Sequence, residues 1–211
     1  MLKSDIPSNA VERVVKRHAN GVKAEAQYFL RGAKVGWRYW EDDETLEREF
    51  SMRRGKYHGI ARQWYSNGQL MWRSRYINGK EHGVAKQWDE KGRLLGTYRM
   101  NHGTGIDRWW VAVYRAGGGP RNYRYCLGEE VHWVNGVLHG RTRFWYGHLT
   151  HERYFWRGQP HGIWREWRSE RKLERGYPQY YIRGKRVTKA QYLKACKTDK
   201  TLALPDQDTK Q

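Results

Sequence analysis

Between Gly55 and Gly103 the chain runs through nearly the same sentence twice. GKYHGIARQWYSNGQLMWRSRYIN is followed directly by GKEHGVAKQWDEKGRLLGTYRMNHG. A short tandem repeat constrains a fold more than any composition does, because each copy must bury its apolar face against its neighbours. The ruler is a landmark leucine at Leu46, Leu70, Leu94, Leu127, Leu149 and Leu173, in steps of 24, 24, 33, 22 and 24. In the first five units a glycine follows nine residues later, at Gly55, Gly79, Gly103, Gly136 and Gly158. Trp40, Trp64, Trp88 and Trp167 each precede their leucine by six residues. The long step combines a turn at 103–105 shortened by two residues with an insertion of 11 between Trp110 and Leu127. That insertion, about 111–126, carries Gly117-Gly118-Gly119-Pro120 and reads as a surface loop.

Each unit reads as two strands joined by tight turns. Asn67-Gly68 lies between two strand-like runs, the signature of a hairpin turn in which both central residues take positive φ. Lys91-Gly92 holds the same place one unit later. The glycine pairs Gly55/Gly59, Gly79/Gly83, Gly136/Gly140 and Gly158/Gly162 bracket the return turn. A period of two puts Leu70, Trp72 and Tyr76 on one face and Arg73 and Arg75 on the other, and Leu94, Tyr98 and Met100 repeat the first set. The expected fold is all-β, an elongated antiparallel β-meander of ~24-residue hairpin repeats with a short C-terminal capping helix. Residues 1–9 read as a polar tail and 10–187 as the array, opening with a hairpin of Val11–His18 and Val22–Leu30. Glu41-Asp42-Asp43-Glu44 reads as a solvated acidic turn. After a last hairpin over Tyr180–Val187, Thr188 and Gln191 make a capping box for a helix over 188–196, with Tyr192, Leu193 and Cys196 facing the last strand. Such a helix would protect an open sheet edge. Residues 197–211 read as disordered.

The array has to be stabilised by rings. Apolar residues make up 38% of the chain and its mean hydropathy is −1.06, yet it holds 12 Trp and 15 Tyr, which bury large areas in a thin sheet. The net charge of +19 admits nucleic acid, anionic surfaces or acidic proteins as partners. Cys126 and Cys196 form no disulfide or zinc pattern. Neither a signal peptide nor a membrane-spanning run is read, so a cytoplasmic location is expected. Without a G-x-S-x-G elbow or a phosphate loop, no catalytic residue, cofactor or metal is expected, and an enzyme is not.

Two constellations recur with the repeat. His58, His82, His139 and His161 occupy one turn position, and parallel side chains roughly 10 Å apart would not converge on a metal. They are expected to hold the turn by hydrogen bonding. Three residues after the second turn glycine stand Arg62, Lys86, Arg108, Arg143 and Arg165, and two further on Trp64, Trp88, Trp110, Trp145 and Trp167. A separation of two places each cation and its tryptophan on one face, giving a cationic–aromatic stripe. That stripe is either core, with stems and cation–π contacts covering rings, or a platform for anions.

Gly-x-x-His-Gly, an aromatic residue five positions later and then Asn-Gly-x-Leu together resemble the MORN-repeat variant of the YwqK-type antitoxin family. The match spans roughly residues 10–187 and is best over 55–103. The resemblance implies a non-enzymatic hairpin scaffold for protein–protein interaction, in some relatives an antitoxin whose partner is a toxin, and it brings no catalytic residues. The alternative function is a non-specific binder of nucleic acid or another polyanion through the stripe.

Overall fold

The computed structural model describes residues 4–114 and 122–204. It divides into two compact units, Met1–Gly103 and Thr104–Gln211. The first holds β1 (Val11–Arg17), β2 (Lys23–Leu30), β3 (Ala33–Trp40), β4 (Leu46–Arg53), β5 (Lys56–Trp64), β6 (Leu70–Ile77), β7 (Lys80–Glu81), β8 (Gly83–Trp88) and β9 (Leu94–Asn101). The second holds β10 (Thr104–Tyr114), β11 (Tyr123–Val134), β12 (Val137–Tyr146), β13 (His148–Trp156), β14 (Gln159–Pro160), β15 (Gly162–Ser169), β16 (Lys172–Leu173), β17 (Gln179–Ile182), β18 (Lys185–Val187) and the helix α1 (Lys189–Cys196). Every strand pairing within each unit is antiparallel, so the fold is the hairpin meander that the repeat implies. Val11 pairs with Phe29, as the reading of the first segment as a hairpin requires.

The six-residue interval between tryptophan and leucine is a register. Trp40 pairs with Leu46, Trp64 with Leu70 and Trp88 with Leu94 in the first unit. Trp110 pairs with Leu127, Trp145 with Leu149 and Trp167 with Leu173 in the second. In each the ladder slips by one residue beside the pair. The slip overturns one period-two assignment. Leu70 faces Trp64, so it shares the face of Arg73 rather than that of Trp72, because a bulge reverses the alternation on one side of itself.

The turns also differ from the expectation. At Asn67-Gly68 only Gly68 has positive φ, and its amide donates to Tyr65 O at 2.9 Å. Asn67 Oδ1 accepts from the Gln69 amide, so this end of the hairpin is a longer turn closed by an αL glycine. The two-residue turns with both φ positive lie at the opposite end of the strands. They are Arg31-Gly32, Arg54-Gly55, Asn78-Gly79 and His102-Gly103 in the first unit, and Asn135-Gly136, Arg157-Gly158 and Arg183-Gly184 in the second. Arginine or histidine in the left-handed region costs about 1 kcal/mol; it stands first in five of these turns, while Asn78-Gly79 and Asn135-Gly136 carry the usual asparagine.

Three segment boundaries are corrected. Residues 4–9 are anchored, not a tail: Ile6 is buried against Gly36, and Asp5 Oδ2 accepts the Ile60 amide at 2.8 Å. Residues 1–3 lie outside the described residues. The insertion over 111–126 lengthens a hairpin, with Val111 paired to Cys126 and Tyr114 to Tyr123, while its glycine run falls within 115–121, outside the described residues. Residues 197–204 fold back, burying Leu202 with Ile163, Tyr180 and Tyr192, and 205–211 lie outside the described residues. The helix forms where the capping box places it. Thr188 Oγ1 accepts the Gln191 amide, and Gln191 Oε1 accepts the Thr188 amide at 2.9 Å.

Candidate functional site

The turn histidines are staples between successive turns. The Asn78 amide donates to His58 Nδ1 at 3.4 Å and the neighbouring Gly79 amide to Tyr57 O at 2.8 Å. The His102 amide likewise donates to His82 Nδ1 at 3.3 Å, and Gly103 to Glu81 O at 2.7 Å. In the second unit the Arg183 amide meets His161 Nδ1 at 3.1 Å and Gly184 meets Pro160 O at 2.7 Å. Each pair satisfies two amides of the next left-handed turn. The His139 ring lies 4.3 Å from that of Trp156. Where the shortened turn removes the histidine, Thr104 Oγ1 accepts the Asn135 amide at 2.9 Å instead. The second glycines bend the chain with φ of 102° at Gly59, 93° at Gly83, 93° at Gly140 and 111° at Gly162. Among the described residues no trio of His, Cys, Asp and Glu is arranged to hold a metal.

Accepting at Nδ1 fixes the neutral tautomer with the proton on Nε2. At His161 that proton faces Thr201 Oγ1 at 2.9 Å. Burial, with help from Arg183 and His139 and against the pull of Asp199, lowers the pKa of His161 from its ordinary 6.5. A base whose folded pKa is depressed stabilises the fold above its unfolded pKa and loses that contribution as pH falls through the folded value. Urea midpoints should therefore drop as pH is lowered below about 6.5. His161→Gln should flatten part of that slope; His132, whose pKa burial also lowers, and at lower pH carboxylates such as Glu130 contribute the rest. An unchanged slope in the variant would exclude His161 as a source.

The stripe cations are for the most part not free. Directly paired positions run across the strands of the first unit as Arg38, Glu49, Arg62, Arg73, Lys86 and Thr97. In the second they run as Arg108, Glu130, Arg143, Glu152 and Arg165. Paired residues share a face, so each unit carries one row of charge. Glu49 is clamped between Arg62 at 2.7 Å and Arg38 at 2.8 Å, with Ser4 Oγ donating at 2.8 Å. Glu130 lies between Arg143 at 2.6 Å and Arg108 at 3.0 Å, and Glu152 meets Arg165 at 2.7 Å. Burial pushes the Glu130 carboxyl up, but Arg143 and Arg108 together hold it below its ordinary value. Arg62 and Arg165 are themselves buried. Of the two readings of the stripe, the structural one describes Arg62 and Arg165, which are buried against glutamates, and Arg108 and Arg143 are likewise ion-paired though partly exposed.

Those glutamates carried a sequence signal. Glu49, Glu130 and Glu152 each stand three residues after a landmark leucine and 13 before the arginine they pair. In the two best-matching repeats the equivalent positions are Arg73 and Thr97. Lys86 therefore has an arginine on one neighbouring strand and a threonine on the other. Arg73, Arg75, Lys86 and Arg99 are all exposed on this face of β6, β8 and β9, with Val84 41% exposed between them. Among the described residues no carboxylate reaches any of the four. Glu81 is turned to the opposite face, where Ser74 and Tyr98 hydroxyls donate to Oε1, and Asp89 closes on Arg93 at 2.7 Å.

The tryptophans of the stripe are half-buried by their leucine partners. Arg143 lies 5.1 Å over the Trp145 ring, as a structural contact would have it. Trp64 differs in its setting. With Leu46, Leu70, Thr45, Gly68, Arg38, Glu49 and Ser4 it lines a half-open concavity of about 630 Å³. Leu70 and Arg73 follow each other along one face of β6, so the concavity abuts the basic cluster. No protein-family model matches this chain, and no curated protein matches it either.

Proposed function

We propose that this protein is a non-enzymatic β-hairpin scaffold that holds an acidic partner on the open face of β6, β8 and β9. The observation that carries the reading is Lys86 between Arg73 and Thr97, whereas each of the other stripe cations has Glu49, Glu130 or Glu152 as a directly paired neighbour. Cations left unpaired in an otherwise compensated row raise the potential of that face toward anions. The three glutamates are held by guanidiniums, which suits ion-paired structure better than proton transfer. The resemblance to YwqK-type repeats supports a scaffold, and by that resemblance the partner is a protein, a toxin in some relatives. Cys126 and Cys196 are both free thiols, which suits a reducing cytoplasm. No helix among the described residues is long and apolar enough to cross a membrane.

Arg73→Glu tests the reading, because it writes into this repeat the residue that three other repeats already carry. The new carboxylate lies between Arg62 and Lys86, so the fold should be kept while the charge of the face is halved. Tagged wild-type protein should retain its partner from cell extract at about 0.15 M salt, and the variant should lose it with an unchanged far-ultraviolet spectrum. Equal retention by a folded variant would remove this face from the function.

A further inference from the structure

Resting on that reading of the face, and replacing the protein partner that the resemblance implies, we infer that the partner is a single nucleic-acid strand, with its phosphates on Arg73, Arg75, Lys86 and Arg99 and one base in the concavity floored by Trp64, Leu46 and Leu70. Three features of the face select this ligand. Three of the four cations are arginines, whose planar guanidinium matches phosphate oxygens with two donors. The cations form a compact field. Arg73 and Lys86 are directly paired neighbours, about 4.8 Å apart across the strands, while Arg75 lies two residues along β6, roughly 7 Å further. Backbone phosphates meeting such a field need no sequence.

The concavity supplies the second requirement. Sequence-tolerant binding of single strands combines a charged track with aromatic faces on which bases stack. Trp64 is half-buried beside an open volume of about 630 Å³, and Leu46 and Leu70 give that volume apolar walls. Arg38 also lines it, its guanidinium held by Glu49 and by the Tyr28 hydroxyl, so the base is left to the ring and the leucines. From Leu70 to Arg75 is about 17 Å along an extended strand, enough for an unstacked base and the phosphates that follow it. A duplex keeps its bases inside and could use only the charged half of the site. Acidic polypeptide would satisfy the cations but gives no reason for an aromatic cavity at their end.

The test uses the purified full chain and a fluorescein-labelled oligothymidylate of about 16 nucleotides, followed by anisotropy across salt concentrations. Four neutralised phosphates predict a log–log slope near −2.8 and an affinity loss of roughly 50-fold between 50 and 200 mM salt. Arg75→Gln and Arg99→Gln should each reduce the slope by about 0.7. A 5-iodouracil-substituted strand should crosslink, on irradiation, to the peptide containing Trp64. Affinity for a duplex of equal length that matches the single strand, or a crosslink elsewhere, would overturn the assignment. So would preferential binding to phosphatidylserine vesicles or to polyglutamate. If the oligonucleotide fails while Arg73→Glu still releases a cellular partner, only the ligand assignment falls. If Arg73→Glu releases nothing, the reading beneath it falls as well.

Discussion

Glu49→Ala should lower the stability of the protein by about 3–5 kcal/mol, the cost of removing one partner from a buried ion pair. The argument is one of desolvation. The Arg62 side chain is only 5% exposed, and its NH1 lies 2.7 Å from Glu49 Oε1, with Glu49 itself 3% exposed. Alanine would leave that guanidinium buried without its counter-charge, free Arg38 on the next strand and remove the acceptor for Ser4 Oγ. Replacing both partners is a different change. Glu49→Leu with Arg62→Leu substitutes apolar contact for a costly pair, and such exchanges are often neutral or stabilising. Urea unfolding of the single and double variants separates the two cases, since the double variant should recover most of the loss. A loss below about 1 kcal/mol for Glu49→Ala would rank the pair with exposed surface bridges. Lys23–Glu12, with side chains 36% and 35% exposed, is the control expected to behave that way.

That ion pair also marks where the sequence stopped being legible. The tryptophan–leucine interval could be read at four leucines because it recurs within a single hairpin, and the structure pairs a tryptophan with Leu127 and Leu149 as well, where the interval differs. The strand faces could be read only as far as the bulge, which put Leu70 beside Arg73. Glu49 and Arg62 lie on neighbouring strands 13 residues apart, and only the register shows that they meet. Without that register, Arg62 and Lys86 look alike in the sequence, each a cation two residues before a tryptophan. Their difference lies on the adjacent strands, in Glu49 against Arg73 and Thr97. Sequence periodicity therefore found the stripe but could not sort its buried members from its open one. The segments 4–9 and 197–204 were missed for a similar reason. Their compositions are polar, and single residues, Ile6 and Leu202, provide the burial that anchors them.

Tyr192→Ala should cost about 3–5 kcal/mol, as expected for truncating a buried aromatic ring, and its effect should spread beyond the side chain. Tyr192 is 0% exposed, its ring stands 5.2 Å from that of Tyr180, and its hydroxyl donates to Ala203 O at 2.8 Å. It thus joins the helix to the sheet on one side and to the returning C-terminal segment on the other. A helix of eight residues cannot persist alone, because nucleation costs more than so few hydrogen bonds return. Once the ring is gone, α1 and residues 197–204 should release together, uncovering Ile163 and Tyr180. His161 would then lose its Thr201 partner. Tyr192→Phe keeps the ring and gives up the hydroxyl's bond to Ala203 O and its contact with Cys196, so its cost should stay near 1 kcal/mol. Hydrogen exchange provides the discriminating readout. In the alanine variant the amides of Thr198 and Asp199, which donate to Ala195 O at 3.1 and 2.8 Å, should lose protection. Those of β12 and β13 should keep it. Protection retained at both amides would mean that the helix and the C-terminal segment are held by Leu202 and the capping box, with Tyr192 a passenger in their core.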